Sequence, residues 1–398
     1  MTSGFRIGRI FGINIKIDWS WLVIFLLVTW NLGVAMAAIN PEWGSAVHWL
    51  VAVAASLLFF ASVLAHELAH SIIAKSRGLP VRSIRLHLFG GVSNIEREPD
   101  SPGGEFVMAI MGPVTSLLIG GALLLLVAFA VDDITTATTA MNMLGQLGPI
   151  WTMVAWLGSV NIVLAIFNMI PGFPLDGGRV LRSIIWGITG NLRVATRWAT
   201  WTGRAIAWLM IAAGIGMAFG VQIPFLGEGL VGGLWLAFIG WFLHNAAVQS
   251  YQQLIIREAL DDVSIADLMR RSPPTVSADL TVAELVHDYV MQTDEEGFAV
   301  VEDGDLVGLV SVEDVREIEQ NVWSRTYVQE IMTPASELST LRPDDDASRA
   351  LEKLSDQNVH EVPVLRNGQL EGLVRRSDII RWLRMQSDDA TLGRPMQR

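Results

Sequence analysis

Six apolar stretches, at residues 22–39, 47–73, 106–131, 150–170, 205–221 and 230–248, crowd the first 250 positions of this chain. Each approaches or exceeds the roughly 20 residues a helix needs to cross a bilayer. Because hydrocarbon offers no hydrogen bonds to the backbone, such runs can only be helices packed as a bundle. Of the 15 Trp, 13 lie in this half, and Trp19, Trp21, Trp43, Trp49, Trp198 and Trp201 sit near the expected helix ends, where an amphipathic ring prefers the headgroup layer. The first partner is therefore a lipid bilayer, and a single soluble domain is excluded.

Charge separates the rest. Residues 1–250 hold 13 Lys+Arg against 11 Asp+Glu, whereas residues 251–398 hold 15 against 29, so the net charge of −12 resides in the second part. A surface so negative cannot displace the counterions of a phosphate backbone, which argues against nucleic acid. Arg6, Arg9 and Lys16 precede the first span, Lys75, Arg77, Arg82, Arg85 and Arg97 follow the second, and Arg179, Arg182, Arg193, Arg197 and Arg204 follow the fourth. The positive-inside rule then places both termini and the acidic part in the cytoplasm of a multi-pass protein, most naturally in the cell membrane. The basic start and Ala35-Met36-Ala37 could suggest a cleaved signal peptide, but the long apolar run and the span that follows at once favour a retained helix. The chain has no Cys, so any metal must be held by His nitrogen or carboxylate oxygen.

Beyond residue 258 the sequence repeats. Asp303-Gly304-Asp305-Leu306-Val307-Gly308 returns 64 residues later as Asn367-Gly368-Gln369-Leu370-Glu371-Gly372. Asp-Gly and Asn-Gly between apolar strands signal type I′ hairpins, expected at 298–301 and 362–365 on their N-terminal sides, with helical patterns at 283–289 and 347–354. The organisation expected is a membrane domain at 1–250, a linker at 251–260, repeat copies at 261–322 and 323–386, and a disordered tail at 387–398.

Chemistry concentrates in Ala65-His66-Glu67-Leu68-Ala69-His70, near the end of the second span. The i, i+4 spacing puts both imidazoles on one helix face, able to grip one zinc ion, with Glu67 beside them to reach a water there. Ionisable groups inside a span are costly, and a metal compensates them. Catalytic zinc commonly takes three protein ligands, and Asp176, in Asn168-Met169-Ile170-Pro171-Gly172-Phe173-Pro174-Leu175-Asp176-Gly177, is the candidate third. Both motifs lie toward the cytoplasmic ends of spans two and four, and Pro171, Gly172 and Pro174 should break the helix there. The lesser alternatives are that Asp176 simply caps a helix and that the two His only bond neighbouring helices.

These residues resemble the site-2 protease family of intramembrane zinc metalloproteases, whose signatures are HExxH in one span and an Asn/Pro-rich LDG segment in another. The resemblance implies zinc bound by His66, His70 and Asp176, Glu67 as general base and proton shuttle, and Asn168 holding substrate backbone or oxyanion. Its alternative is a polar residue capping a broken helix. Residues 84–92, which alternate like a strand and close on Gly90-Gly91, resemble the family's membrane-associated β-loop. That loop offers a strand edge to an extended substrate. His87, on the same loop, is a weaker fourth ligand. Ser116, in Gly112-Pro113-Val114-Thr115-Ser116, stands where many members carry Asn.

The acidic part resembles a tandem pair of CBS domains at about 258–386, modules that in many proteins bind adenine nucleotides. Ser311 and Asp314 fall at the phosphate and ribose positions of the family pattern, whereas the second copy has Arg375 in place of the hydroxyl, so one nucleotide site is expected rather than two. The pair could equally serve only to pack or to form a homodimer. The fold class expected is thus a polytopic α-helical membrane domain of about six transmembrane helices followed by a soluble α/β CBS pair. The function expected is intramembrane proteolysis of transmembrane substrates, regulated by the CBS pair. The rivals are a CBS-regulated channel or transporter, which does not require HExxH spacing, and an inactive family member.

Overall fold

The computed structural model describes residues 4–88, 90–95, 99–130, 147–223, 227, 229–261, 263–293, 295–356, 359 and 361–391. The chain divides into two compact units, Met1–Tyr251 and Gln252–Arg398.

Among the described residues of the first unit, six helices are long and apolar enough to cross a membrane: α1 (Trp19–Ile39), α2 (Ser45–Ser76), α3 (Pro102–Ala130), α4 (Pro149–Asn168), α6 (Leu192–Ala218) and α7 (Leu230–Asp261), the last over Leu230–Ile256. Residue 131, the expected end of the third span, lies outside the described residues. These helices are apolar on the outside: Leu26, Trp30, Leu118, Phe129, Leu209 and Val231 are exposed. Their polar side chains turn inward, with Ser56, Ser71, Ser116, Thr152, Asn161 and Thr200 buried. Lipid is as apolar as Leu, so packing between such helices depends on close approach of small residues. Gly120 of α3 and Gly158 of α4 provide it, since a Cβ on Gly120 would stand 2.8 Å from the Gly158 carbonyl oxygen.

α6 begins well before the expected 205. Asn191 caps it, its Oδ1 accepting from the Val194 amide at 3.0 Å. Arg193, Arg197 and Arg204 dilute the apolar signal over turns that are nonetheless helical. Between α4 and α6 lies a shorter amphipathic helix, α5 (Asp176–Thr189), closed by Gly190 in the left-handed conformation.

A four-stranded sheet accompanies the bundle, ordered β1 (Gly4–Ile10), β2 (Ile13–Asp18), β3 (Val81–His87), β4 (Gly90–Ile95). β2 and β3 run parallel, the outer pairs antiparallel. Ile13, Ile15 and Ile84 pack from the sheet onto Leu64 and Leu68 of α2. Among the described residues β4 is an edge strand, pairing Ile84 with Ser93, Leu86 with Gly91 and His87 with Gly90.

In the second unit both expected hairpins form: β5 (Gly297–Glu302) with β6 (Asp305–Ser311), and β7 (Glu361–Arg366) with β8 (Gln369–Arg375). Asp303, Gly304, Asn367 and Gly368 all take positive φ, as the turn signal requires. The cores do not follow the expected division at 322/323. Ile265 and Leu268, at the start of the first copy, and Leu260 just before it pack with Val362, Val374 and Ile379 of the second, while Val328 packs with Phe298 and Val310 of the first. Each copy is thus completed by a segment that sequence order assigns to its neighbour. The connection expected at 251–260 as a short helix or linker is helical as part of α7, with no Pro or Gly to break it, and the helix Arg376–Thr391 runs into the expected tail, whose residues 392–398 lie outside the described set.

Candidate metal centre

The helical spacing of His66 and His70 brings their rings side by side on α2, with centroids 4.9 Å apart. Asp176 opens α5 without capping it, because Leu175 holds the N-cap position and no side chain bonds there. Its Oδ2 instead stands 3.0 Å from His66 Nε2 and 3.2 Å from His70 Nε2. One ligand atom from each residue lies within 4.8 Å of the other two, and among the described residues this is the group of His, Asp and Glu able to share a cation; His87, at the end of β3, is not part of it.

The donor set fits zinc. Two atoms each 2.0 to 2.1 Å from one tetrahedral ion stand about 3.3 Å apart, close to the separations found. The outer nitrogens are committed elsewhere: His70 Nδ1–H donates to the Met108 carbonyl at 2.7 Å, and His66 Nδ1 pairs with Ser116 Oγ at 2.9 Å. A ring whose Nδ1 donates to a carbonyl presents a lone pair at Nε2, the usual support for a metal-binding imidazole.

α3 supplies this support along one stripe. Glu105, Met108, Gly112 and Ser116 recur at intervals of three and four, one face of a helix. Gly112 lies against both rings, and a Cβ there would stand 2.6 Å from His66 Nε2 and closer still to His70 Nε2. Glu105, fully buried, pairs with Arg182 of α5, Nε to Oε1 at 2.6 Å, and Arg179 Nε lies 3.9 Å away. The Arg182 guanidinium also lies over the Phe173 ring, 5.3 Å from its centroid. The helix that begins with Asp176 is therefore fixed to the helix that backs the histidines.

Glu67 faces the sheet. Ser93 Oγ donates to Glu67 Oε2 at 2.9 Å, Ser71 Oγ donates to Ser93 Oγ at 3.1 Å, and Gly91 has its backbone so close to Glu67 Cγ that a Cβ would collide with it. Gly90, with φ +118°, starts the strand. Asn168 ends α4, and its Nδ2 donates to the Leu164 carbonyl one turn back at 3.0 Å, while Met169 holds the C-cap position.

In the second unit Ser311 and Asp314 bond one another as a capping box. Ser311 Oγ accepts from the Asp314 amide at 3.2 Å, and Asp314 Oδ2 accepts from the Ser311 amide and hydroxyl at 2.7 Å. At the matching place in the second copy Arg375 grips Asp378 with Nε and Nη2 at 2.9 and 3.0 Å and reaches Glu295 at 2.9 Å. Beside it, Glu361 is buried against Gly297, its equivalent in the repeat. Burial pushes its carboxyl up to about 7; Arg375 opposes the rise, and Glu296 and Asp378 add to it. The folded unit therefore holds this proton more tightly than the unfolded chain, and stability contributed at low pH is lost as pH rises from about 4.5 to 7. That shift corresponds to about 3 kcal/mol. The unfolding midpoint of this unit in the full chain, followed by circular dichroism, should fall between pH 5 and 7.5, and Glu361→Gln should flatten that slope and raise the midpoint at pH 7.5. Equal slopes in the two proteins would contradict it.

Family models match parts of both units. The family model for peptidase family M50 matches residues 54–212, and the CBS-domain model matches 265–321 and 328–385. A Synechocystis protein provisionally named zinc metalloprotease sll0528 is 32% identical over 386 residues, covering 96% of each chain. A Mycobacterium tuberculosis protein, provisionally named zinc metalloprotease Rip3, is 32% identical over 385 residues, 96% of this chain and 93% of that one. Among solved structures, a site-2 protease from Methanocaldococcus jannaschii shares 27% identity and covers 62% of this chain and 94% of its own, with a TM-score of 0.40.

Proposed function

This chain belongs to peptidase family M50, as a metalloprotease of the membrane with a CBS pair attached, and from that premise we propose that it hydrolyses peptide bonds within or near transmembrane segments at a zinc ion held by His66, His70 and Asp176. The observation that carries the assignment is the convergence of these three side chains, drawn from positions far apart in sequence, on a space that suits one divalent ion. Zinc bound there supplies Lewis acidity toward a water and toward the scissile carbonyl.

The remaining steps belong to the chain. Glu67 accepts the proton of the attacking water at its carboxylate and returns it to the departing amine nitrogen. Met108 and Ser116 hold the imidazoles in one orientation, and Gly112 leaves them room. A helical substrate shields its peptide bonds, so it must be extended before attack. The free edge of β4, beginning at Gly90 and Gly91, suits an extended segment added as a further strand, with main-chain bonds providing affinity without demanding a sequence. Asn168 in this reading binds substrate backbone or oxyanion, which requires its amide to leave the Leu164 carbonyl.

The substrates proposed are membrane proteins already shortened on the far side, such as regulators released by cleavage. In this reading the termini and the CBS pair face the cytoplasm of the cell membrane, which the bias of Lys and Arg between spans supports. An adenine nucleotide at Ser311 and Asp314 alters access to the centre, with the CBS pair also available for homodimer contact. The deciding experiment is cleavage of a model transmembrane substrate by the full chain in lipid nanodiscs. Hydrolysis should vanish on chelation and return with one zinc per chain. Cleavage that persists in fully metal-free protein would end the proposal.

A further inference from the structure

We propose that Ser93 is a positioning residue that fixes the carboxylate of Glu67 and ties its orientation to the edge strand β4. Nothing in the HExxH spacing accounts for this contact, because Ser93 lies on the sheet and not on α2.

The bond directions are set by chemistry. The Ser71 hydroxyl donates to Ser93 Oγ at 3.1 Å, which leaves the single Ser93 hydroxyl proton for an acceptor. Two acceptors are near, the Glu67 carbonyl at 3.3 Å and Glu67 Oε2 at 2.9 Å. The shorter contact is to the carboxylate, and a bond to a charged acceptor is roughly twice as strong as one between neutral groups. With Oε2 anchored, rotation of the carboxylate is restricted and Oε1 is left for the reacting water.

The strand makes this hold exact in direction. Side chains alternate along β4, so Gly91 and Ser93 share the face toward α2 while Val92 points away and is exposed. Gly91 closes against Glu67 Cγ and Ser93 bonds its tip, so two residues of one strand grip the stem and the end of one side chain. β4 is also the strand whose free edge would receive an extended substrate. A substrate strand that orders β4 would thereby order the base, and docking and proton transfer share one element. A base misplaced by about 1 Å can lose up to a hundredfold in rate.

This rests on the reading of Glu67 as the base, and the test separates the two. Full-length Ser93→Ala and Ser93→Thr would be compared with the parent in nanodiscs with zinc. Ser93→Ala should lower kcat about tenfold with KM, zinc content and unfolding temperature unchanged, and Ser93→Thr, which keeps the hydroxyl and suits a strand, should recover it to within about twofold. An unchanged kcat in Ser93→Ala, a loss confined to KM, or no recovery in Ser93→Thr would overturn the proposal. A second readout needs no turnover. The carboxylate stretch identified by its disappearance in Glu67→Gln should shift in the infrared difference spectrum of Ser93→Ala, and an unshifted band would also overturn it. Should the parent protein fail to cleave, or Glu67→Gln cleave normally, the functional reading falls while this band still decides whether Ser93 sets the carboxylate.

Discussion

Glu67→Gln should keep its full complement of zinc and its fold while losing about a thousandfold or more in kcat. Gln matches Glu in size and can still accept from Ser93, so the contacts with Gly91 and β4 survive. What disappears is a group able to take a proton from water and hand it to an amine. General acid–base catalysis contributes typically 10² to 10⁴-fold, and one residue here serves both halves of the reaction, which places the loss toward the upper end. Metal content by mass spectrometry, alongside cleavage of a transmembrane substrate, checks both parts. Zinc retained with turnover within tenfold of the parent would remove Glu67 from its role.

Gly112→Ala should remove most of the bound zinc. By helix propensity alone this change is favourable, since Ala exceeds Gly by about 1 kcal/mol in a helix interior, and Gly112 lies in the middle of α3. Sterics reverse the sign. The added methyl would stand 2.6 Å from His66 Nε2 and nearer to His70 Nε2, so it would fill the space in which the two lone pairs meet. The backbone of α3 cannot retreat freely, because Met108 and Ser116, on either side, bond the same two rings. Gly103→Ala provides the control, as nothing lies within 4 Å of a Cβ there. Zinc stoichiometry should drop below about one tenth of the parent's in the first variant and remain intact in the second. An equal stoichiometry in both would contradict the packing argument.

The centre was readable where side-chain type and helical period coincide. His66 and His70 announce themselves by spacing, and Asp176 by the Pro and Gly that stop α4 before it. What could not be read was support delivered by the backbone or by another element. The Met108 carbonyl carries no side-chain signal, and Ser93 acts only because the sheet sets β4 on α2. Ser116 was visible as a departure from the family's Asn, yet its bond to His66 depends on the register of two helices. Glu105 in the first turn of α3 and Arg182 in the middle of α5 are a charged pair within apolar surroundings, and their pairing shows how α5 is held.

The sheet illustrates a different limit. β1 and β2 were legible only as basic residues ahead of a span, because their turn is Phe11-Gly12 rather than Asn-Gly or Asp-Gly, although both residues take the positive φ that such a turn needs. In the acidic unit the Asp-Gly and Asn-Gly pairs gave both hairpins directly. The exchange of Leu260, Ile265 and Val328 between the two cores was not legible, since repeat symmetry reports which residues are equivalent and not which copy each segment completes.

The stripe on α3 has a geometric corollary. Inserting one residue between Glu105 and Ser116 would turn everything beyond it by about 100° and slide it about 1.5 Å, so the ion pair to Arg182, the carbonyl under His70, the gap at Gly112 and the hydroxyl beside His66 could not all stay in phase. A residue added to α3 after Ser116 would leave all four contacts in phase. Over that middle segment its residue count is locked.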